Sequence, residues 1–297
     1  MSRSRPQHRY ASAMTALDDA LARIDGWEAG HTAAAVIGPA GIIATRGDTT
    51  HPFRWASVTK LATALAVLVA VDRGSVSLED AWGPPGSTVR HLLAHASGLP
   101  FEGRKPISAA GRRRIYSNPG FDLLGELLAE RAGTPFETVL DASILAPLGM
   151  GAARLLERPS QGLHGPLDDI VRLAAELLQP TLINGPLSAE ARSVAFPGLR
   201  GVLPGVGAFD PLDWGLGFEL RDAKTPHWTG ERNSPATFGH FGGSGTFLWV
   251  DPDAGLALAV LTDREFGGWA LEAWPALSDA VLEASGAPDR GRAQSVR

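Results

Sequence analysis

The chain contains no cysteine. Disulfides, thiolate nucleophiles and cysteine-ligated zinc sites are thereby excluded, although the lack alone does not fix a compartment, since secreted proteins can also do without cysteine. Lysine is confined to Lys60, Lys105 and Lys224, and tyrosine to Tyr10 and Tyr116. Few residues can therefore supply an amine or a phenol to any chemistry. Long apolar runs are missing too: the most apolar stretch, Leu61 to Val71, is too short for a bilayer and reads as a buried helix. The basic start MSRSRPQHRY is not followed by the apolar segment of a secretory signal, so a cytoplasmic location is expected. Excess positive charge is also lacking. A net charge of −5 gives no reason to expect nucleic acid or an anionic membrane as partner.

What is present describes a globular chain. Its 297 residues, 44% hydrophobic and 20% charged, suffice for one large domain or two smaller ones. Residues 11–28 pattern as an amphipathic helix, followed by strands at His31–Gly38 and Gly41–Thr45 around a Pro39-Ala40 turn. A helix apolar on nearly all sides runs from Ser57 to about Arg73, with Gly74 just past its end. The middle of the chain reads as helices and loops. One helix begins at Asn118-Pro119, another follows a capping box starting at Thr134, and a third covers Leu167–Leu178. Residues 181–212 are rich in Gly and Pro and read as surface loop. Strand character returns at Trp214–Leu220, Thr246–Val250 and Leu256–Leu261, before a helix over about Gly268–Ala284 and a polar tail, 286–297, expected to be disordered. The expected fold class is α+β: an antiparallel sheet from both chain ends (10–80 and 205–285), flanked by the terminal helices, with a mainly helical subdomain (81–204) inserted and a cleft between the two.

Three short motifs carry chemistry. In Ser57-Val58-Thr59-Lys60, residues i and i+3 share a helix face, so the Lys60 amine can reach the Ser57 hydroxyl. A serine hydroxyl needs a neighbouring base to become a good nucleophile, and a desolvated lysine can be that base where arginine cannot. Tyr116-Ser117-Asn118 offers a phenol for proton transfer, held between two cations, and an amide to bind Lys60 and a substrate carbonyl. His240-Phe241-Gly242-Gly243 approaches a strand, where small residues let a backbone edge lie close to substrate and the Gly243 N–H can join the Ser57 N–H as an oxyanion hole.

In this order, S-x-x-K, Y-x-N and a K/H-x-G strand motif resemble the signatures of class C β-lactamases, DD-peptidases and related esterases. HLLAHASGLP (His91–Pro100), APLGM (Ala146–Met150), WGLGF (Trp214–Phe218) and GHFGGSGTFLWVDPDAG (Gly239–Gly255) are similar to the same family, so the resemblance covers roughly residues 10–285. It implies a β-lactamase/transpeptidase-like fold with Ser57 as nucleophile, Lys60 and Tyr116 handling protons, and Asn118, His240, Gly242 and Gly243 lining the site. Two departures stand out. His240 occupies the place where class C β-lactamases carry lysine, and the Ser57–Tyr116 interval is short for the family, which implies a trimmed helical subdomain and a more open cleft.

The function expected is a serine hydrolase of small esters or acyl derivatives that needs no cofactor. A β-lactamase or D-alanyl-D-alanine carboxypeptidase is the alternative enzyme, and a regulatory protein with a penicillin-binding fold but no turnover is the alternative of another class. No metal is expected: His91 and His95 have the i, i+4 spacing of zinc ligands, but there is no HExxH motif, and within the resemblance they would pack and cap. Arg112–Arg114 read as a solvated face, or else as an attractor for a substrate carboxylate at the cleft mouth. An α/β-hydrolase is excluded, because no serine has the G-x-S-x-G context.

Overall fold

The computed structural model describes residues 14–287. Its centre is a six-stranded antiparallel sheet whose strands are β1 (Thr32–Gly38), β2 (Gly41–Gly47), β3 (Glu219–Leu220), β4 (Phe238–Gly242), β5 (Thr246–Asp251) and β6 (Leu256–Thr262), ordered β2-β1-β6-β5-β4-β3. The two ends of the chain meet in this sheet, with Ala35 opposite Ala259 and Leu248 opposite the same Ala259. The period-2 alternation of a strand then divides the core in two. Ala33, Ala35, Ile37, Leu248, Val250, Ala257, Ala259 and Leu261 face one way, towards α1 (Thr59–Asp72), α2 (Asn118–Ala132) and α3 (Leu167–Leu178). Ala34, Val36, Phe247, Trp249, Leu258 and Val260 face the other way. There they pack on the terminal helices, through Leu17 and Leu21 at one end of the chain and Trp274, Leu277 and Val281 of α4 (Gly268–Ala284) at the other. Among the described residues no helix is long and apolar enough to cross a membrane.

Several local expectations need correction. The first helix reaches residue 21 and continues as a 3₁₀ turn, Ala22–Gly26; residues 11–13 lie outside the described part, as do 288–297 of the tail. Ser57 sits in a 3₁₀ turn, Ala56–Val58, that feeds α1 at Thr59. The capping box at Thr134 does not form: the extended Pro135 is the N-cap of Phe136–Leu140 and makes no side-chain cap. Residues 181–212 are not all loop. Asn184 caps a helix, Gly185–Ala191, by accepting from the Leu187 N–H, and Pro186 occupies its first turn. Strands Gly201–Leu203 and Gly207–Phe209 follow and join Arg114–Ile115 in a small separate sheet. Of Trp214–Leu220 only Glu219–Leu220 is strand. Gly217 breaks the extension at φ +93°, and a Cβ there would collide with the Ala64 side chain, so the chain bends to lie against α1.

Candidate active site

The chemistry-bearing residues converge where the start of α1, the start of α2 and the end of β4 meet. A cleft of about 280 Å³ there is lined by Ser57, Tyr116, Asn118, His240 and Gly243, with Phe101, Gln161, Pro204 and Phe266 around them. A larger hollow of about 680 Å³ lies elsewhere, between Glu137, Asp141 and Arg154, and contains none of the residues of the three motifs. Volume is therefore a poorer guide here than chemistry.

Ser57 is placed by strain and close packing. Ala56, just before it, has φ +45°, a left-handed conformation costly for a residue with a Cβ. Gly242 makes that turn possible: a Cβ there would lie 2.5 Å from the Trp55 carbonyl oxygen and 3.1 Å from the Ala56 side chain. Gly242 thus serves close packing of β4 on the Ser57 turn and does not line the cleft, a correction to its expected place among the substrate-facing residues. Gly243, by contrast, opens onto the cleft, with nothing within 4 Å of its Cβ direction. The Thr246 hydroxyl also donates to the Trp55 carbonyl at 2.9 Å, tying β5 to the same turn.

Lys60 lies fully buried beneath Ser57. Its Nζ donates to Ser57 Oγ at 3.1 Å, Asn118 Oδ1 at 2.6 Å and the Ser160 carbonyl at 2.9 Å. All three acceptors are uncharged. Burial lowers the Lys60 pKa to about 7; Asp122 and Glu102 pull it back up and Arg158 pushes it down. An amine tuned there is neutral often enough at pH 7–8 to take a proton from Ser57.

Tyr116 is not held between two cations. Lys60 Nζ lies 4.8 Å from its ring centre, but the partner on the other side, His240, is neutral. Burial first, and then the Lys60 charge, lower the His240 pKa to about 3. Its Nδ1–H donates to the Phe241 carbonyl at 2.6 Å, which leaves Nε2 as an acceptor 3.4 Å from the Tyr116 hydroxyl. Burial raises the Tyr116 pKa well above the usual phenol range, against a hydrogen bond with Ser57 that lowers it. The phenol therefore rests protonated and can pass a proton on, while Lys60 is the group better tuned to accept one.

Sequence reasoning missed the layer that positions these groups. Glu102 accepts from Asn118 Nδ2 at 2.8 Å, which turns Asn118 Oδ1 towards Lys60, and is held by both Arg158 nitrogens at 3.0 and 3.1 Å. Asp122 accepts from the Ser160 N–H at 3.2 Å and pairs with Arg158 at 3.4 Å, fixing the segment that presents the Ser160 carbonyl. Only the Asn118 contact had a sequence signal, its two-residue spacing from Tyr116; the 157–162 segment had none, being about a hundred residues from Lys60 in the chain.

His91 and His95 do not meet as metal ligands. His91 Nδ1 lies 3.0 Å from the hydroxyl of Thr88, the N-cap of Val89–Leu93. His95 is buried beside Tyr116 and Trp214, and its Nδ1 accepts the Ser117 N–H at 3.0 Å, which steadies the Tyr116–Asn118 segment. Arg114 is buried, contrary to the solvated face expected of Arg112–Arg114. Its guanidinium donates to the carbonyls of Ala94, Ala195, Phe196 and Leu212, which are loop and turn acceptors. Away from the cleft, His31, Asp48 and His51 gather at the surface with their nitrogen and oxygen atoms within 4.8 Å of one another.

Comparison with known proteins agrees with this architecture. A family model described as Beta-lactamase matches residues 32–282. A D-alanyl-D-alanine-carboxypeptidase/endopeptidase of Escherichia coli is 30% identical over 145 residues, 36% of this chain; the match spans 38% of that relative's length. Esterase EstB of Burkholderia gladioli is 27% identical, over 77% of this chain and 81% of its own. A solved structure described as a beta-lactamase from Mycobacterium bovis is 52% identical, covers 90% of this chain and 99% of its own, and superposes with a TM-score of 0.88. On this family match, a β-lactamase-like α+β fold and relatives that are hydrolases, the chain belongs to the Beta-lactamase family.

Proposed function

We propose that the protein hydrolyses small carboxylic esters through an acyl-enzyme on Ser57. Neutral Lys60 takes the Ser57 proton as Oγ attacks the ester carbonyl carbon. The negative charge that forms on the carbonyl oxygen is met by the Ser57 and Gly243 N–H groups. As the C–O bond to the alcohol breaks, the proton returns from Lys60 through the Tyr116 hydroxyl to the departing oxygen. Water then attacks the acyl-enzyme by the same route in reverse, releasing the acid and restoring Ser57.

The observation that carries the preference for esters is the neutral His240. β-Lactams and D-alanyl-D-alanine termini both bear a carboxylate, and the wall of the cleft opposite Tyr116 offers that group no fixed charge. Arg54 stands at the rim, but it pairs with Glu157 at 3.4 Å. A simple ester needs no such anchor. The assembled Ser57–Lys60–Tyr116 contacts also speak for turnover over a purely regulatory role.

The test compares kcat/KM for p-nitrophenyl acetate and butyrate with nitrocefin and a D-Ala-D-Ala peptide, at pH 7–8, in wild type and Ser57→Ala. Ester turnover is expected to exceed nitrocefin turnover and to fall on the order of 10³-fold or more in Ser57→Ala. Unchanged ester hydrolysis in Ser57→Ala overturns the nucleophile. Nitrocefin favoured about tenfold over both esters, more than a modest difference in transition-state fit, makes the alternative β-lactamase reading the correct one.

A further inference from the structure

The catalytic cleft does not end at Tyr116. A second groove of about 290 Å³, lined by Tyr116 with Phe101, Ile107, Arg113, Val202 and Pro204, lies beside it. The two hollows share Phe101, Tyr116 and Pro204, so they adjoin. The second shares none of Asn118, Gln161 or Gly243 and therefore extends away from the oxyanion side.

Apart from Arg113 and Arg114 the walls are apolar, and several of them are exposed, which is rare among the described residues. Seven large hydrophobic residues are exposed among the described residues, and Phe101 (50%), Ile107 (68%) and Val202 (56%) all belong to this groove. Scattered exposed hydrophobics need no explanation, whereas three gathered beside a catalytic cleft mark a binding surface. The walls are also held in place. Val202 pairs with Ile115 in the small sheet, the Ile107 N–H donates to Gly98 at 2.9 Å, and the Phe101 carbonyl accepts from Asn118 at 3.1 Å. Phe101 stacks on Tyr116 with ring centres 5.7 Å apart.

We propose that this groove is a subsite for the alcohol part of the ester and selects substrates whose leaving group carries an extended apolar chain. The side of the cleft follows from the proton path: Tyr116 must lie against the departing oxygen, and the groove opens beside Tyr116. This inference rests on Ser57 being the nucleophile of an ester hydrolase. It adds which half of the ester is recognised, and by what chemistry.

The test holds intrinsic reactivity constant and varies chain length on each side separately. One series is 4-alkylphenyl acetates from methyl to hexyl, in which the alkyl group hardly alters the phenol. The other is p-nitrophenyl esters from acetate to octanoate. In wild type, kcat/KM is expected to rise by about fourfold per methylene along the first series, as burial of a CH₂ predicts, and more weakly along the second. Ile107→Ser with Val202→Ser should flatten the first series, and Ile42→Ser, an exposed hydrophobic on the edge strand β2, four strands from β4, should leave its slope intact. A flat 4-alkylphenyl series in wild type, a slope that survives the double substitution, or a dependence confined to the acyl series overturns the proposal. Those failures leave Ser57-dependent acetate hydrolysis standing. Acetate hydrolysis that persists in Ser57→Ala instead overturns the underlying reading of the nucleophile.

Discussion

Two lysines are buried in this protein, and their surroundings are opposite. Lys60 meets only neutral acceptors, and desolvation brings its pKa down to about 7. Lys224, 5% exposed, sits 2.8 Å from Glu219 Oε1 and donates to the Asp213 and Leu220 carbonyls. Burial alone would push the Glu219 carboxyl up, yet His227 and Lys224 together hold it at about 2. Lys60 is thus buried with no carboxylate in contact, and the energy withheld from its ammonium form becomes a readiness to accept a proton.

The sharpest way to break this contrast is to exchange each lysine for methionine. Lys60→Met should lower kcat/KM by on the order of 10³-fold or more, while the melting temperature stays at least as high as in wild type, because an unpaired buried charge is removed. Lys60→Arg should be nearly as damaging, since arginine cannot give up its proton. If Lys60→Arg keeps a near-wild-type kcat, the residue is electrostatic and not a base.

Lys224→Met should show the inverse. Removing one partner of a buried pair costs about 3–5 kcal/mol, to be read from urea unfolding, while the folded fraction keeps its ester turnover. Lost activity with unchanged stability would erase the distinction between the two sites.

A smaller effect is expected in the pH profile. Lys60 must be neutral to accept the Ser57 proton, and its charged form prevails below about pH 7. Wild-type kcat/KM should accordingly climb through about pH 7 with unit slope and level off above. His240, already neutral there, should add no inflection between pH 5 and 9.

The smallest expected effect concerns the layer behind Lys60. The negative charge of Glu102 favours the ammonium and the positive charge of Arg158 disfavours it. Glu102→Gln should move the rising limb to lower pH, and Arg158→Gln should move it to higher pH. Shifts in the same direction would mean that the two act only by holding Asn118 and the Ser160 segment in place.

Legibility in the sequence followed contact range. α1, α3, α4, β5 and β6 were readable because apolar periodicity and turn residues are local. Ser57, Lys60, Tyr116, Asn118 and His240 stood out because each belongs to a short motif whose order along the chain is informative. The strand expected over Trp214–Leu220 failed for a reason outside its own composition: Gly217 must pass against Ala64 of α1. Arg112–Arg114 looked like a uniform basic face, but four carbonyls distant in the chain draw Arg114 inside.

The sequence by itself determined the residue types available for catalysis and the two alternating faces of the sheet. With three lysines and two tyrosines, little else could have served as amine and phenol. The tertiary structure decided which lysine is uncompensated, which nitrogen of His240 faces Tyr116, that Gly242 packs while Gly243 opens onto the cleft, and that Glu102 and Arg158 stand behind the amine. Those outcomes depend on desolvation and on partners about a hundred residues away, as with the Ser160 carbonyl on Lys60. A proton affinity is set by everything that folding brings within a few ångströms, and no local pattern records that.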